Sequence, residues 1–202
     1  MQIQTVQTVR KVVLLIAILL GVLVFAFTET IAPSGQLVHE TVEWVGIVLI
    51  VVCILGRTWS SLYIGGRKID ELVTVGPYSV CRNPLYFFSV IGAAGMGAQT
   101  GSVVIGLICG LIAAVVFRIV VGQEEKLLLD KYGERFREYL SRVPRLFPDA
   151  HLWHDVEILN VRPRRVVLTF ADASFFLLAV PVAEFFELLQ DAGIIPILLR
   201  LP

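Results

Sequence analysis

The feature that most constrains this chain is a succession of apolar runs separated by short polar loops. A helix that crosses a bilayer needs about 20 mostly apolar residues, because each residue rises about 1.5 Å across a core about 30 Å thick. Val12 to Phe27 (continuing toward Ile31), Val42 to Leu55 and Val103 to Val121 meet or approach that length. Leu85 to Ala98 is shorter and rich in small residues, and Val166 to Leu189 is a fifth run interrupted by Asp172, Glu184 and Glu187. Composition agrees: 56% of residues are hydrophobic and 17% charged, whereas soluble domains carry about 25% charged residues. The expected fold is all-α, a polytopic membrane helix bundle with four to five transmembrane helices and amphipathic helices on the cytosolic side. Trp44 and Trp59 stand where interfacial aromatics anchor the second run.

Charge distribution orients the bundle. The chain balances 17 Lys and Arg against 17 Asp and Glu, so its net charge points to no partner and no nucleic-acid binding is expected. Basic residues gather at Arg10-Lys11, at Arg57, Arg67, Lys68 and Arg82, and between Lys126 and Arg165, while Thr28 to Thr41 and Gln99 to Ser102 have none. By the positive-inside rule the N-terminus and the basic loops face the cytoplasm, and the turns near Pro33 and Thr100 face the other side. The expected location is a prokaryotic inner membrane. Arg10-Lys11 ahead of an apolar run mimics a signal peptide, but no small-residue cleavage site follows, so the run is read as a retained first helix. Three regions result: membrane helices in 1–56, a core in 57–148, and a tail with one hydrophobic helix in 149–202.

Within the core, only Gln99 to Ser102 separates the third and fourth runs, which predicts a tight helical hairpin. Ser89, Ala93, Gly97 and Gly101, with Gly106 and Gly110 on the next run, supply the small residues that let helices approach in lipid. Gln123 to Ser141 reads as an amphipathic helix, with Leu128, Tyr132, Phe136 and Tyr139 or Leu140 on one face and a break at Gly133.

Chemistry-bearing residues collect at the inner ends of the hairpin. Gly76-Pro77-Tyr78 and Arg82-Asn83-Pro84-Leu85-Tyr86 lead into the third run; Glu124-Glu125 leaves the fourth; Val143-Pro144-Arg145 follows. Pro84 suits a first helical turn and Asn83 suits the cap before it. A guanidinium, an amide, phenols and two carboxylates thus meet at one membrane face. A carboxylate there holds an ammonium, and Arg82 with the helix-start N–H groups holds an anion. S-adenosylmethionine offers both charges in its methionine part, and a nucleotide phosphate would also suit the arginine.

This pattern, over roughly residues 57–148 and with Leu72-Val73-Thr74-Val75 leading in, resembles the signature of the membrane methyltransferases. That group includes isoprenylcysteine carboxyl methyltransferase and the phospholipid N-methyltransferases. The resemblance implies an S-adenosylmethionine pocket built from the two segments and capped by cytosolic helices. It assigns cofactor binding to Tyr78, Arg82, Asn83, Tyr86, Glu124, Glu125 and Arg145, and catalysis to Glu124, Glu125 and Arg137. Two positions depart from it: Asn83 stands where many relatives have histidine, and Ser79 where arginine or lysine is common. An amide replaces a neutral imidazole as a hydrogen-bond partner but carries no proton.

The expected reaction is methyl transfer to a lipophilic acceptor entering from the bilayer. A carboxylate, as in an isoprenylcysteine, is placed ahead of a phospholipid amine. A carboxylate acceptor needs no base, whereas an amine needs Glu124 or Glu125 to take a proton. Expected partners are membrane lipids and a lipophilic or lipidated substrate. The alternatives are an NADPH-dependent membrane reductase of the sterol-reductase type and a non-enzymatic membrane scaffold or transport component. Elsewhere the bland readings prevail. His151 and His154 are read as part of an interfacial loop, no metal site is expected, and Cys81, with no neighbouring histidine, is read as incidental. Asp172, a carboxylate inside an apolar run, is the one functional suspect in the tail.

Overall fold

The computed structural model describes residues 26–30, 36–66 and 71–201. The expected first transmembrane run lies almost wholly outside the described residues. Those described are helical apart from one short parallel strand pair, β1 (Thr28–Thr30) with β2 (Leu199–Leu201), which joins the two ends of the described chain. The helices are α1 (Leu37–Ile64), the single turn α2 (Pro77–Val80), α3 (Pro84–Ala98), α4 (Val103–Tyr132), α5 (Glu134–Arg142), α6 (Pro163–Ser174) and α7 (Ala179–Asp191). A 3₁₀ turn at Phe175–Leu178 links α6 to α7, so Pro163–Asp191 runs as one span of 29 residues. Three helical spans are long and apolar enough to cross a membrane, and α3 is a fourth, shorter apolar helix. Leucines, valines and isoleucines on the outer faces of α1 and α4 are exposed, as a lipid-facing surface requires.

α1, α3 and α4 form the core. At Gly46 and Gly95 the backbones of α1 and α3 nearly touch, since a Cβ on Gly95 would sit 2.7 Å from the Gly46 carbonyl oxygen. Gly97 and Gly106 do the same between α3 and α4, so the small residues of α3 serve two neighbours at once. The hairpin turn is as short as expected. Gly101 adopts φ +68°, a conformation that favours glycine, and the Ser102 hydroxyl caps α4 by accepting from Ile105 N–H at 3.3 Å.

Two helix boundaries differ from the sequence reading. α1 and α4 outrun their apolar windows, because hydropathy marks the depth of the bilayer and not the end of a helix. The expected separate amphipathic helix from Gln123 is therefore the inner end of α4, and the chain breaks only at Gly133, φ +55°. The amphipathic face itself is real: Phe136, Tyr139 and Val143 pack with Leu72, Leu128, Leu129, Tyr132 and Leu140.

Candidate active site

The α3–α4 hairpin carries both halves of the motif to one end of the bundle. Pro84 occupies the first turn of α3, where its missing N–H leaves no bond unmade. Asn83 precedes it but its side chain does not cap the helix, contrary to expectation. Its amide nitrogen instead donates to the Arg145 carbonyl at 3.0 Å. Arg82 N–H donates to the Pro144 carbonyl and Asp149 N–H to the Val80 carbonyl, each at 2.9 Å, so residues 80–83 and 144–149 are laced side by side. This lacing, invisible in the linear motif, is what brings Arg145 into the site.

Glu125 is the centre of the charge arrangement. It is 8% exposed, with Arg82 Nη1 3.3 Å from one carboxylate oxygen and Arg145 bonded to the other. One buried carboxylate between two guanidiniums leaves the triad with a net positive charge. Next to it, Tyr86 O–H donates to Glu124 at 2.9 Å, and the Tyr86 ring packs against Phe117. Tyr139 O–H donates to the Tyr78 carbonyl at 2.7 Å and so fixes α2 against α5. Tyr78, Arg82, Asn83, Tyr86, Glu124 and Glu125 line a single pocket with Leu85, Leu128 and Phe136. Its volume is about 50 Å³, and it is partly open.

Three buried polar atoms here have no partner in a hydrogen bond or ion pair: Tyr78 Oη, Arg82 Nε and Arg145 Nε. Each such atom costs about 1–3 kcal/mol when left unmet, so their concentration in one place is the mark of a polar ligand. Burial holds the Tyr78 phenol well above the ordinary tyrosine value, with Tyr139 and Cys81 adding to the rise, so Tyr78 is a neutral donor. Burial likewise pushes the Cys81 thiol up to about 11, with Asn83 N–H and Arg82 opposing. Its Sγ lies 3.1 Å from the Leu146 carbonyl, which suits a protonated structural thiol and no nucleophile.

Of the residues the sequence nominated, Arg145 does not line the pocket but reaches its edge through the pair with Glu125, and Arg137 is not brought to it at all. Its side chain is 62% exposed and pairs with Glu134 on the same helix. Other contacts escaped the sequence reading. Ser79, standing where a basic residue was expected, donates to the Gly76 carbonyl at 2.6 Å and accepts from His154 N–H at 3.2 Å. Tyr63 O–H donates to Asp155 at 2.6 Å, and Trp59 stacks on Trp153 at 5.8 Å. These pairs seat the loop around 149–155 against α1 and α2, and their sequence separation hid them. Asp172, the suspect in the tail, accepts from Arg57 at 3.0 Å, and Arg57 also donates to Ser89. It thus pins α6 to α1 and α3.

A phospholipid methyltransferase family model matches residues 41–135, from the outer part of α1 into α5 and across both halves of the motif. Two relatives resemble the chain over most of its length. The cobalt-zinc-cadmium resistance protein CzcN of Cupriavidus metallidurans is 35% identical over 162 residues, 80% of this chain and 74% of the relative. The nickel-cobalt-cadmium resistance protein NccN of Alcaligenes xylosoxydans xylosoxydans is 36% identical over 158 residues, 78% and 74% of the two chains. The chain belongs to the phospholipid methyltransferase family. No solved structure matches it. The matched region ends before Arg145.

Proposed function

We propose that this protein is an integral membrane methyltransferase that uses S-adenosylmethionine and methylates a lipophilic acceptor, an isoprenylcysteine-like carboxylate before a phospholipid amine. The observation that carries the reading is the pocket and its edge: carboxylates and guanidiniums side by side, with Tyr78, Arg82 and Arg145 each presenting an unmet polar atom. The donor set fits the cofactor's amino-acid part, with Glu124 and Tyr86 toward an ammonium and Arg82 with Arg145 toward a carboxylate. The volume of about 50 Å³ accommodates only a water or two, at roughly 30 Å³ each, so a molecule of cofactor size also needs the open side of the pocket. When bound, the cofactor supplies an electrophilic methyl group on a sulfonium.

The protein's own residues divide the remaining work. Glu125, held between two guanidiniums, orients them and keeps their charge partly compensated. Glu124, bonded to Tyr86, is the carboxylate placed to take a proton if the acceptor is an amine. A carboxylate acceptor needs no base. The depth of the site supports a lipophilic acceptor. α3 has 15 residues, about 22 Å of helix against a hydrocarbon core of about 30 Å. If its outer turn lies at the interface, Pro84 and Tyr86 sit within the inner leaflet.

The test is a titration of purified protein in nanodiscs with S-adenosylmethionine and NADPH, followed by methyl transfer to lipophilic acids and amines. The expected result is saturable S-adenosylmethionine binding, weakened in Glu125→Gln and Tyr86→Phe. Preference for NADPH moves the protein to the reductases. Binding of neither by a folded sample overturns the enzyme reading and leaves a scaffold. The names of the two relatives favour a second reading, a part in resistance to divalent metal ions. Host cells carrying the wild type or Glu125→Gln, grown in zinc, cobalt or cadmium, decide it: equal growth of both with cells lacking the protein removes it.

A further inference from the structure

We propose that the far end of the bundle holds a second site, for a divalent transition-metal ion, built from His39, Glu43 and Glu187. It lies about 36 Å along α1 from Tyr63, counting 24 residues at about 1.5 Å each, and shares no residue with the pocket.

His39 and Glu43 stand one turn apart at the start of α1, and Glu187 reaches them from α7. His39 Nε2 lies 3.2 Å from Glu43 Oε1 and 3.3 Å from Glu187 Oε1. A tetrahedral ion with bonds of about 2.0–2.1 Å places its ligand atoms about 3.3 Å apart, which matches both separations. All three ligand atoms lie within 4.8 Å of one another, the only such cluster of histidine, cysteine and carboxylate side chains among the described residues. Asp191, one turn beyond Glu187 on α7, adds negative charge at the same end.

Three further observations make this more than a surface ion pair. The imidazole is 3% exposed, held with Nδ1 against Gly101 and Nε2 toward both carboxylates. The ring is seated by design of the turn: Gly101 has φ +68°, and a Cβ there would overlap the His39 ring. Neither contributing helix offers a balancing cation there: α1 has no lysine or arginine before Arg57 and α7 has none. A single proton on Nε2 serves one carboxylate at a time, whereas a divalent cation satisfies the nitrogen and both oxygens together. One imidazole with two carboxylates suits zinc, cobalt or nickel better than magnesium or calcium, which prefer oxygen alone. The three protein ligands leave a fourth position open.

The experiment uses full-length protein in detergent, purified on a tag without histidine and stripped with chelator, then titrated with Co2+ and read by its visible absorption. The expected result is a saturable band at one ion per chain, displaced by Zn2+. Glu187→Gln and His39→Ala should weaken Co2+ by at least roughly tenfold, and the double variant His151→Ala/His154→Ala should bind as the wild type does. No saturable band from the wild type, an undiminished band in His39→Ala or Glu187→Gln, or its loss on removing the other two histidines overturns the proposal. Each variant is checked by size-exclusion profile and thermal melting. Should His39→Ala fail to fold, Glu187→Gln decides alone, since an amide keeps the size of the carboxylate. Unchanged Co2+ binding in Glu125→Gln, whatever happens to cofactor binding there, separates this site from the pocket.

Discussion

The two glutamates at the inner end of α4 differ in what surrounds them, and that difference fixes what each substitution does. Glu125→Gln leaves two guanidiniums crowded around a neutral amide, and removing one partner of a buried ion pair costs about 3–5 kcal/mol. Because Arg145 is 39% exposed, a loss near the lower end is expected, read as a depressed melting temperature. Glu124→Gln keeps an acceptor for Tyr86, so stability should shift by less than about 1 kcal/mol. Turnover of an amine acceptor should fall about 10²–10⁴-fold, and that of a carboxylate acceptor far less; comparing the two rates identifies the acceptor class. Cys81 offers a pH test. Its pKa is raised from 9.0 to about 11, so its neutral form favours the fold below pH 9, and that contribution fades as pH rises from 9 to 11. At pH 8 a thiol-alkylating reagent should leave Cys81 unmodified until denaturant is added, which mass spectrometry of the labelled peptide checks. The motif residues were legible in the sequence as a group because they cluster at two helix ends. Their individual roles were not, since Asn83 answers to Arg145 and Glu125 to Arg82 and Arg145 only after the chain folds back.

Among the helices, the closest approach is set by glycines, and the structure separates those that matter. Gly95→Val would drive a branched side chain into Gly46 carbonyl oxygen and Ile50 N–H, which part α1 from α3. Overpacking of this kind costs about 1–3 kcal/mol or more, and size-exclusion should show loss of the monodisperse species. Gly122 lies within α4 with nothing within 4 Å of a Cβ placed there. Gly122→Ala should therefore raise stability by about 0.8–1 kcal/mol, seen as a higher melting temperature with binding unchanged. The hairpin and the break at Gly133 were legible because glycine, serine and polarity punctuate the chain there. The full lengths of α1 and α4 were not, because their inner turns carry Arg57, Ser60, Glu124 and Glu125 yet keep hydrogen-bonding as helix. The strand pair was equally hidden, its partners 171 positions apart at Thr28 and Leu199.

For the whole molecule, the tie between core and tail is the Arg57–Asp172 pair. Asp172→Asn weakens the pair but leaves Arg57 bonded to Ser89, and with Asp172 71% exposed the expected loss is about 1 kcal/mol or less. Thermal melting of Asp172→Asn against the wild type measures it. The orientation set by the basic loops predicts that cysteines at positions 36 and 157, both exposed, lie on opposite sides. An impermeant thiol reagent should label Gln36→Cys in intact cells and Glu157→Cys only after permeabilisation. One contact has an optical side to it. Trp59 and Trp153 lie within 21° of parallel at 5.8 Å, close enough for their ultraviolet transitions to mix. The resulting paired bands in circular dichroism exist only while the two indoles face each other. The protein thus carries a label-free gauge of whether the segment holding Trp153 is seated on the helix holding Trp59.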